Sequence, residues 1–188
     1  PVALRVFGHK EPNACRSDLE VPLAPLKAAS MLKAIDSVQA MNLAKTPIAD
    51  SLAAVANDLK GAAGRKVIIL LTDGEETCDG DPSMVVETLQ QAGVDVTLNV
   101  IGFAIDDQQL EEEFQSWAAL GGGRYFQAQN QQALRLAIQE ALAVPYKVYD
   151  QTGALVAEAL VDGAAVQLDQ GYYRVVVQGA AAKTYDKV

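Results

Sequence analysis

The sequence predicts an α/β fold, with a mostly parallel sheet flanked by helices on both faces and a small antiparallel β unit after it. Three observations carry this expectation. Between residues 2 and 143, apolar β-like runs alternate with amphipathic helical stretches. The run KVIILLT at 66–72 is apolar without alternation, the pattern of a parallel strand covered on both faces. After Val144-Pro145 the helical period stops, and short β-like runs are separated by turn residues.

In chain order, residues 2–7 (VALRVF) read as a strand ending at Gly8-His9, and a polar loop then leads to a short strand at 18–21. A helix over about 26–40 places Met31, Ile35 and Val38 on one face. A second, over 47–60, repeats Ile48, Leu52, Val55 and Leu59 at helical spacing, with Thr46 as N-cap and Pro47 at the first helical position. The strand at 66–72 follows. Asp81-Pro82 opens a third helix carrying Val85, Val86 and Leu89 and closing at Gly93. Residues 94–101 form a strand with Val94, Val96, Leu98 and Val100 alternating. Asp106 and Asp107 lead a helix with Leu110, Phe114 and Trp117 inward, stopped by Gly121-Gly122-Gly123. A short strand at 124–128 precedes a last helix, 130–143, with Leu134, Ile138 and Leu142 inward. Beyond it, β-like runs at 146–149, 155–160, 165–168 and 172–177 make a unit of three to five strands. The expected division is therefore 1–143 for the α/β domain and 144–188 for the β unit, which is too small for a secure core of its own.

The 188 residues carry a net charge of −9, which excludes nucleic acid as a partner, since its phosphates demand a basic face. An anionic membrane surface is disfavoured for the same reason. No apolar run reaches the ~18 residues needed to cross a bilayer. The chain opens at Pro1 with neither Met nor a signal-peptide pattern, as expected of a processed form, a designed form or a fragment.

In open α/β sheets ligands collect at the carboxyl ends of the strands. Two segments stand at that edge: Lys45-Thr46-Pro47-Ile48 at a helix start, and Leu71-Thr72-Asp73-Gly74-Glu75-Glu76 after the most apolar strand. These resemble the second and third metal-site loops of the von Willebrand factor type A family, and the resemblance continues through Val100-Ile101-Gly102-Phe103 and Gly122-Gly123-Arg124-Tyr125-Phe126. It implies a three-layer, Rossmann-like fold and a protein-binding or adhesion module rather than an enzyme. Thr46 would ligate a Mg²⁺ or Mn²⁺ ion directly, and Asp73 directly or through water. An open coordination position would then accept a carboxylate from a partner protein.

The family's first loop, Asp-x-Ser-x-Ser, is absent, and the strand at 2–7 corresponds to the family's second. The missing strand belongs between the strands at 2–7 and 66–72, so metal is expected only once the site is completed by an upstream segment or another chain. Strand exchange and association are physical options for such a sheet.

A subset of bacterial members shows His-x-x-x-x-x-Cys followed later by Asp-Gly-Glu-Glu-Thr-Cys, matched here by His9, Cys15 and Asp73 to Cys78. That similarity implies a Cys15–Cys78 disulfide and an exported, periplasmic or extracellular location. The residues alone leave two buried free thiols as the alternative. His9 reads either as a loop residue that packs or caps, or as part of a partner-binding rim with Glu75 and Glu76. The acidic loop holding Glu75, Glu76, Asp79 and Asp81 is a solvated surface or a rim that attracts cations and basic patches. No Gly-x-Ser-x-Gly setting, nucleotide cradle or Asp-x-Asp signature supports catalysis. A metal-independent structural component, and a metal-dependent phosphate-handling enzyme, are the competing readings.

Overall fold

The computed structural model describes residues 1–92, 96–161 and 163–177, together with the backbone of 183–186. The elements are β1 (Val2–Phe7), β2 (Ser17–Ala24), α1 (Ala28–Ser37), α2 (Ile48–Asp58), β3 (Lys66–Thr72), α3 (Pro82–Gln91), β4 (Val96–Phe103), α4 (Gln108–Leu120), β5 (Tyr125–Ala128), α5 (Gln131–Leu142), β6 (Pro145–Tyr149), β7 (Leu155–Leu160), β8 (Arg174–Val177) and β9 (Lys183–Asp186). The predicted alternation of strands and helices is borne out, and β3, β4 and β5 pair in parallel, Lys66 opposite Val96 and Val100 opposite Tyr125.

Two apolar layers cover this sheet. On one face, Ile48 and Leu52 of α2, Val86 of α3, and Phe114, Trp117 and Ala118 of α4 pack on Leu70, Leu98 and Val100. On the other, Ala137 and Ala141 of α5 pack on Ile101 and Ala128, flanked by Ile69, Phe103 and Phe126. Alternate residues of β3 and β4 point to opposite faces, as the pleat requires. The central strand β4 is buried from both sides, with Val100 and Ile101 fully enclosed. Within it Asn99 is a buried polar side chain with both ends used: Nδ2 donates to Ala141 O at 2.8 Å, and Oδ1 accepts from Arg124 N at 2.9 Å. That satisfies the amide and fixes α5 and the start of β5 to β4.

Helix ends follow the sequence where polar caps were available. Asp81, Asp107 and Asn130 each accept a backbone N–H from three residues on. Gly121-Gly122-Gly123 does more than stop α4. Gly122 has φ +65°, and a Cβ on Gly123 would lie 2.0 Å from Leu98 O, so glycine lets the chain turn and press against β4.

Several expectations change. The short strand at 18–21 is an eight-residue strand, β2, antiparallel to β1, with irregular register around Leu4 and Arg5. No residue of α1 is buried, and Ile35 is 50% exposed, because the helix packs on little besides β2. Leu142 points outward at 61% exposure; small Ala137 and Ala141 take the inner face of α5 instead. The strand at 94–101 runs Val96–Phe103, and Val94 and Gly93 lie outside the described residues. In the β unit the order is β7-β6-β8-β9, all antiparallel. Residues 165–168 are loop, with no strand paired to them among the described residues, whereas β9 was not anticipated.

The strands at 2–7 and 66–72 do not share a sheet. β1 pairs only with β2, and β3 pairs only with β4, in separate sheets among the described residues. β3 was expected to be covered on both faces, yet Val67 and Leu71 are 40% and 44% exposed. The β1–β2 ribbon is attached instead through α2: Arg5 Nε and Nη2 donate to Asp58 at 2.7 and 2.8 Å, while Nη1 reaches Ser17 O and Oγ. Both charged side chains are largely buried, so removing one would strand the other. Asp58→Asn is expected to lower the unfolding free energy by about 2–4 kcal/mol. An unchanged urea midpoint for this variant would show that the pair does not hold the ribbon.

Candidate functional site

The site is built where the start of α2 meets the end of β3. Thr72, the last residue of β3, is buried; its Oγ1 donates to Gly74 O at 2.9 Å and accepts from Gly74 N, closing the turn that carries Asp73. Asp73 itself is exposed at the end of the strand. The following loop then folds back over α2. Thr46 N donates to Thr77 Oγ1 at 2.7 Å, and Thr77 N donates to Thr46 O at 3.2 Å.

Glu76 makes the second tie. Its carboxylate accepts from Ala49 N at 2.7 Å and from Cys78 N at 2.6 Å. The predicted Thr46 N-cap is therefore corrected: Pro47 occupies the cap position without a side-chain bond, and Glu76 supplies the acceptor from a distant loop. Proline offers no side-chain oxygen, so an orphan N–H in the first turn needs a partner from elsewhere. Cys15 and Cys78 are joined, with a Cα–Cα distance of 5.7 Å, so the β1–β2 loop is fastened to the same segment. A bridge over this separation stabilises by about 4 kcal/mol in the chain-entropy model.

Among the predicted site residues, Thr46 and Asp73 are thus carried by two loops that the structure locks together. Glu75 is exposed, as a rim residue would be. Glu76 turns inward as the cap, and His9 is directed to Glu20, with Nε2 and Oε1 3.0 Å apart. Asp79, Asp81 and Glu113 line an open cleft with Glu76 and Trp117 beside this loop.

The sequence reading missed Thr77, the capping role of Glu76, and the ribbon carboxylates Asp18 and Glu20. The last two were legible in principle, because residues two apart on a strand share a face. Lys10 Nζ donates to Glu20 and lies 3.6 Å from Asp18; Arg16 chelates Asp18 through Nε and Nη2. The Lys10 hydrogen bond, then that of His9, holds the Glu20 carboxyl below its ordinary value. The Arg16 hydrogen bond does the same to Asp18.

As a metal half-site, Thr46 and Asp73 offer a hydroxyl and a carboxylate, the hard oxygen donors that Mg²⁺ or Mn²⁺ takes. Both are donors of the kind an octahedral shell takes, and the remaining ligands would have to come from water and from residues outside these two loops.

The model of the von Willebrand factor type A domain matches residues 14–141, and the chain belongs to this family. An 85-residue stretch is 45% identical to the uncharacterized protein YwmD of Bacillus subtilis (strain 168), covering 44% of this chain and 38% of that protein. The related YwmC of the same organism is 43% identical over 88 residues, covering 46% of this chain and 37% of YwmC. The matches thus span under two-fifths of either relative. Among solved structures, proximal thread matrix protein 1 from the mussel byssus, with its MIDAS motif occupied by zinc, superposes with a TM-score of 0.57 at 23% identity, covering 74% of this chain and 33% of that one. A second structure of that protein gives 0.55 at 22% identity, with 67% and 32% covered. At such identities the likeness establishes the fold.

Two outcomes follow from the geometry. Glu76→Ala, which leaves the Ala49 and Cys78 amides without their acceptor, is expected to cost about 1–2 kcal/mol. Glu76→Gln, keeping one carbonyl oxygen, is expected to lose about half as much, measured by denaturant unfolding. For the ribbon, carboxyls held below their ordinary values stabilise fully above the unfolded range near pH ~4 and lose this as pH falls through their lowered values. Amide protection in β1 and β2 is therefore expected to fall in acid before that of β3 and β4. Hydrogen exchange at pH 6 and pH 3 reads this, and equal loss in both sheets would contradict it.

Proposed function

We propose that the chain is a protein-recognition module that binds its partner at the carboxyl edge of the sheet, around Thr46 and Asp73, and does not catalyse a reaction. The carrying observation is the lock between the start of α2 and the loop after β3: Thr46 with Thr77, Glu76 with Ala49, and Cys78 with Cys15. So many ties on one exposed edge preorganise a contact surface, which lowers the ordering cost of binding. Membership of a family whose domains commonly mediate protein–protein interaction supports the same reading.

Metal assistance enters as a conditional part of this proposal. Thr46 and Asp73 would hold a Mg²⁺ or Mn²⁺ ion once an Asp-x-Ser-x-Ser loop is supplied by upstream sequence or by another chain. The bound ion would supply a Lewis-acid position for a partner carboxylate. Glu75 and the Asp79–Asp81 loop then give the rim its negative charge, suited to a partner whose surrounding surface is basic. The single-sided pairing of β1 and β3 supports an added strand, from such a segment or through strand exchange between copies. The Cys15–Cys78 bridge supports an exported setting, where disulfides persist. In the second reading, the same edge recognises a partner without metal.

Calorimetric titration of Mg²⁺ and Mn²⁺ into this chain, and into a version extended by a family-type first strand and Asp-x-Ser-x-Ser loop, separates the readings. Saturable binding by the extended form, lost in Asp73→Ala, is the expected result. Failure of both forms to bind would remove the metal and leave recognition by surface contact alone.

A further inference from the structure

A second cluster of metal-type ligands lies on the β1–β2 ribbon, built from residues that the half-site does not use. The His9 imidazole and the Asp18 and Glu20 carboxylates each present a ligand atom, and these atoms all lie within 4.8 Å of one another. They are held in place from two strands. Asp18 and Glu20 sit two apart in β2, and His9 lies two residues beyond the end of β1, with its ring turned to Glu20. The His9 side chain is 7% exposed, Asp18 18% and Glu20 24%, so the three converge in a shielded position instead of spreading into solvent.

A cation already sits against these ligands. The Lys10 ammonium donates to Glu20 and lies 3.6 Å from Asp18, while its own side chain remains 41% exposed and has solvent to swing into. Lys10 thus stands where a metal ion would, and it is the group a stronger cation would displace. Arg16 holds Asp18 mainly through Oδ1, at 2.8 and 3.1 Å, and touches Oδ2 once, at 3.0 Å, so a metal would take Oδ2 in place of that single contact.

We propose that His9, Asp18 and Glu20 form a zinc-class metal site, with Lys10 as the competing resident cation. One nitrogen and two carboxylate oxygens are a ligand set for Zn²⁺ or a similar borderline divalent ion, and an imidazole discriminates against Mg²⁺ and Ca²⁺. Tetrahedral zinc, with bonds of about 2.0–2.2 Å, holds its ligands roughly 3.3–3.5 Å apart. His9 and Glu20 are already near that spacing, and the Asp18 ligand atom lies within 4.8 Å of both. Three protein ligands leave a fourth position for water or for a group from a partner. The two carboxylates match the charge of the ion, so expelling the Lys10 ammonium leaves the Arg16 guanidinium as the remaining cation beside them.

The test is titration of Zn²⁺ into the full, untagged chain with its disulfide intact, read by calorimetry and repeated with Co²⁺ for its visible ligand-field spectrum. One Zn²⁺ per chain is expected, weakened about 100-fold or more by His9→Gln and by Glu20→Gln. Lys10→Met is expected to tighten binding by about two- to fivefold, since it removes a weak competing ion pair. Asp73→Ala and Thr46→Ala are expected to leave Zn²⁺ binding unchanged, which separates this site from the half-site at the sheet edge. Because His9→Gln could disturb the ribbon, its circular dichroism and thermal midpoint are compared with the parent; Lys10→Met keeps all three ligands and provides the independent check. No saturable binding, binding insensitive to both ligand substitutions, or weakening by Lys10→Met would overturn the proposal.

Discussion

With no backbone ladder between β1 and β3, the placement of the β1–β2 ribbon depends on α2 and on what α2 can grip. At its carboxyl-terminal end, Asp58 takes the Arg5 guanidinium in a two-pronged contact. At its amino-terminal end, Glu76 binds the first turn, Thr77 binds Thr46 two residues ahead of the helix, and Cys78 reaches across to the ribbon loop. One eleven-residue helix therefore relays the position of the ribbon to the sheet. Its buried side is correspondingly dense, with Ile48 fully enclosed and Leu52 nearly so. Side-chain ties replace the hydrogen bonds that an intervening strand would contribute, and they do so at the two ends of the same helix.

This arrangement explains why the carboxyl edge is orderly even though the strand edges are open. Asp73 stands on a turn fixed by a buried threonine, and Thr46 precedes a helix whose first turn is capped from outside. The open edges show their cost in another place. Val67 and Leu71 keep over a third of their surface in water, and α1 buries none of its residues. Leaving such surface uncovered forgoes the usual gain from apolar burial, about 25 cal/mol per Å². The exposed apolar groups of β3 and α1 therefore favour whatever segment can cover them.

The sheet and most helices were legible because their signals are local. The continuous apolar run of β3 fixed its place, and Asp81-Pro82, Asp107 and Asn130 announced helix starts through oxygen atoms next to the amides they bind. Thr46 and Asp73 were legible as short motifs flanking the two loops. What could not be read was non-local. The acceptor for α2 comes from Glu76, 27 residues on from Ala49, and no periodicity records such a partnership. The apolar spacing in α1 put Met31, Ile35 and Val38 on one face, but whether such a face is buried depends on a neighbour and not on the stripe itself. In α5 the larger leucine at 142 suggested the inner face, whereas close approach to β4 and β5 selected the alanines. Near the chain's end, the β-like run at 165–168 is loop, with no strand among the described residues to pair with it.

The covalent bridge between Cys15 and Cys78, spanning a separation of 63 residues, also sets how the molecule would bear a pulling force. Tension applied along the chain passes from one sulfur to the other and bypasses everything between them. Fully extended, that bypassed segment would measure on the order of 200 Å, a length withheld from stretching while the bond is intact. Thr46 and Asp73 both lie within the loop so closed, as do α2 and β3. The backbone that carries them would therefore stay unloaded even if the strands beyond it were drawn out, so a contact made at this edge could outlast the stretching of the chain that anchors it.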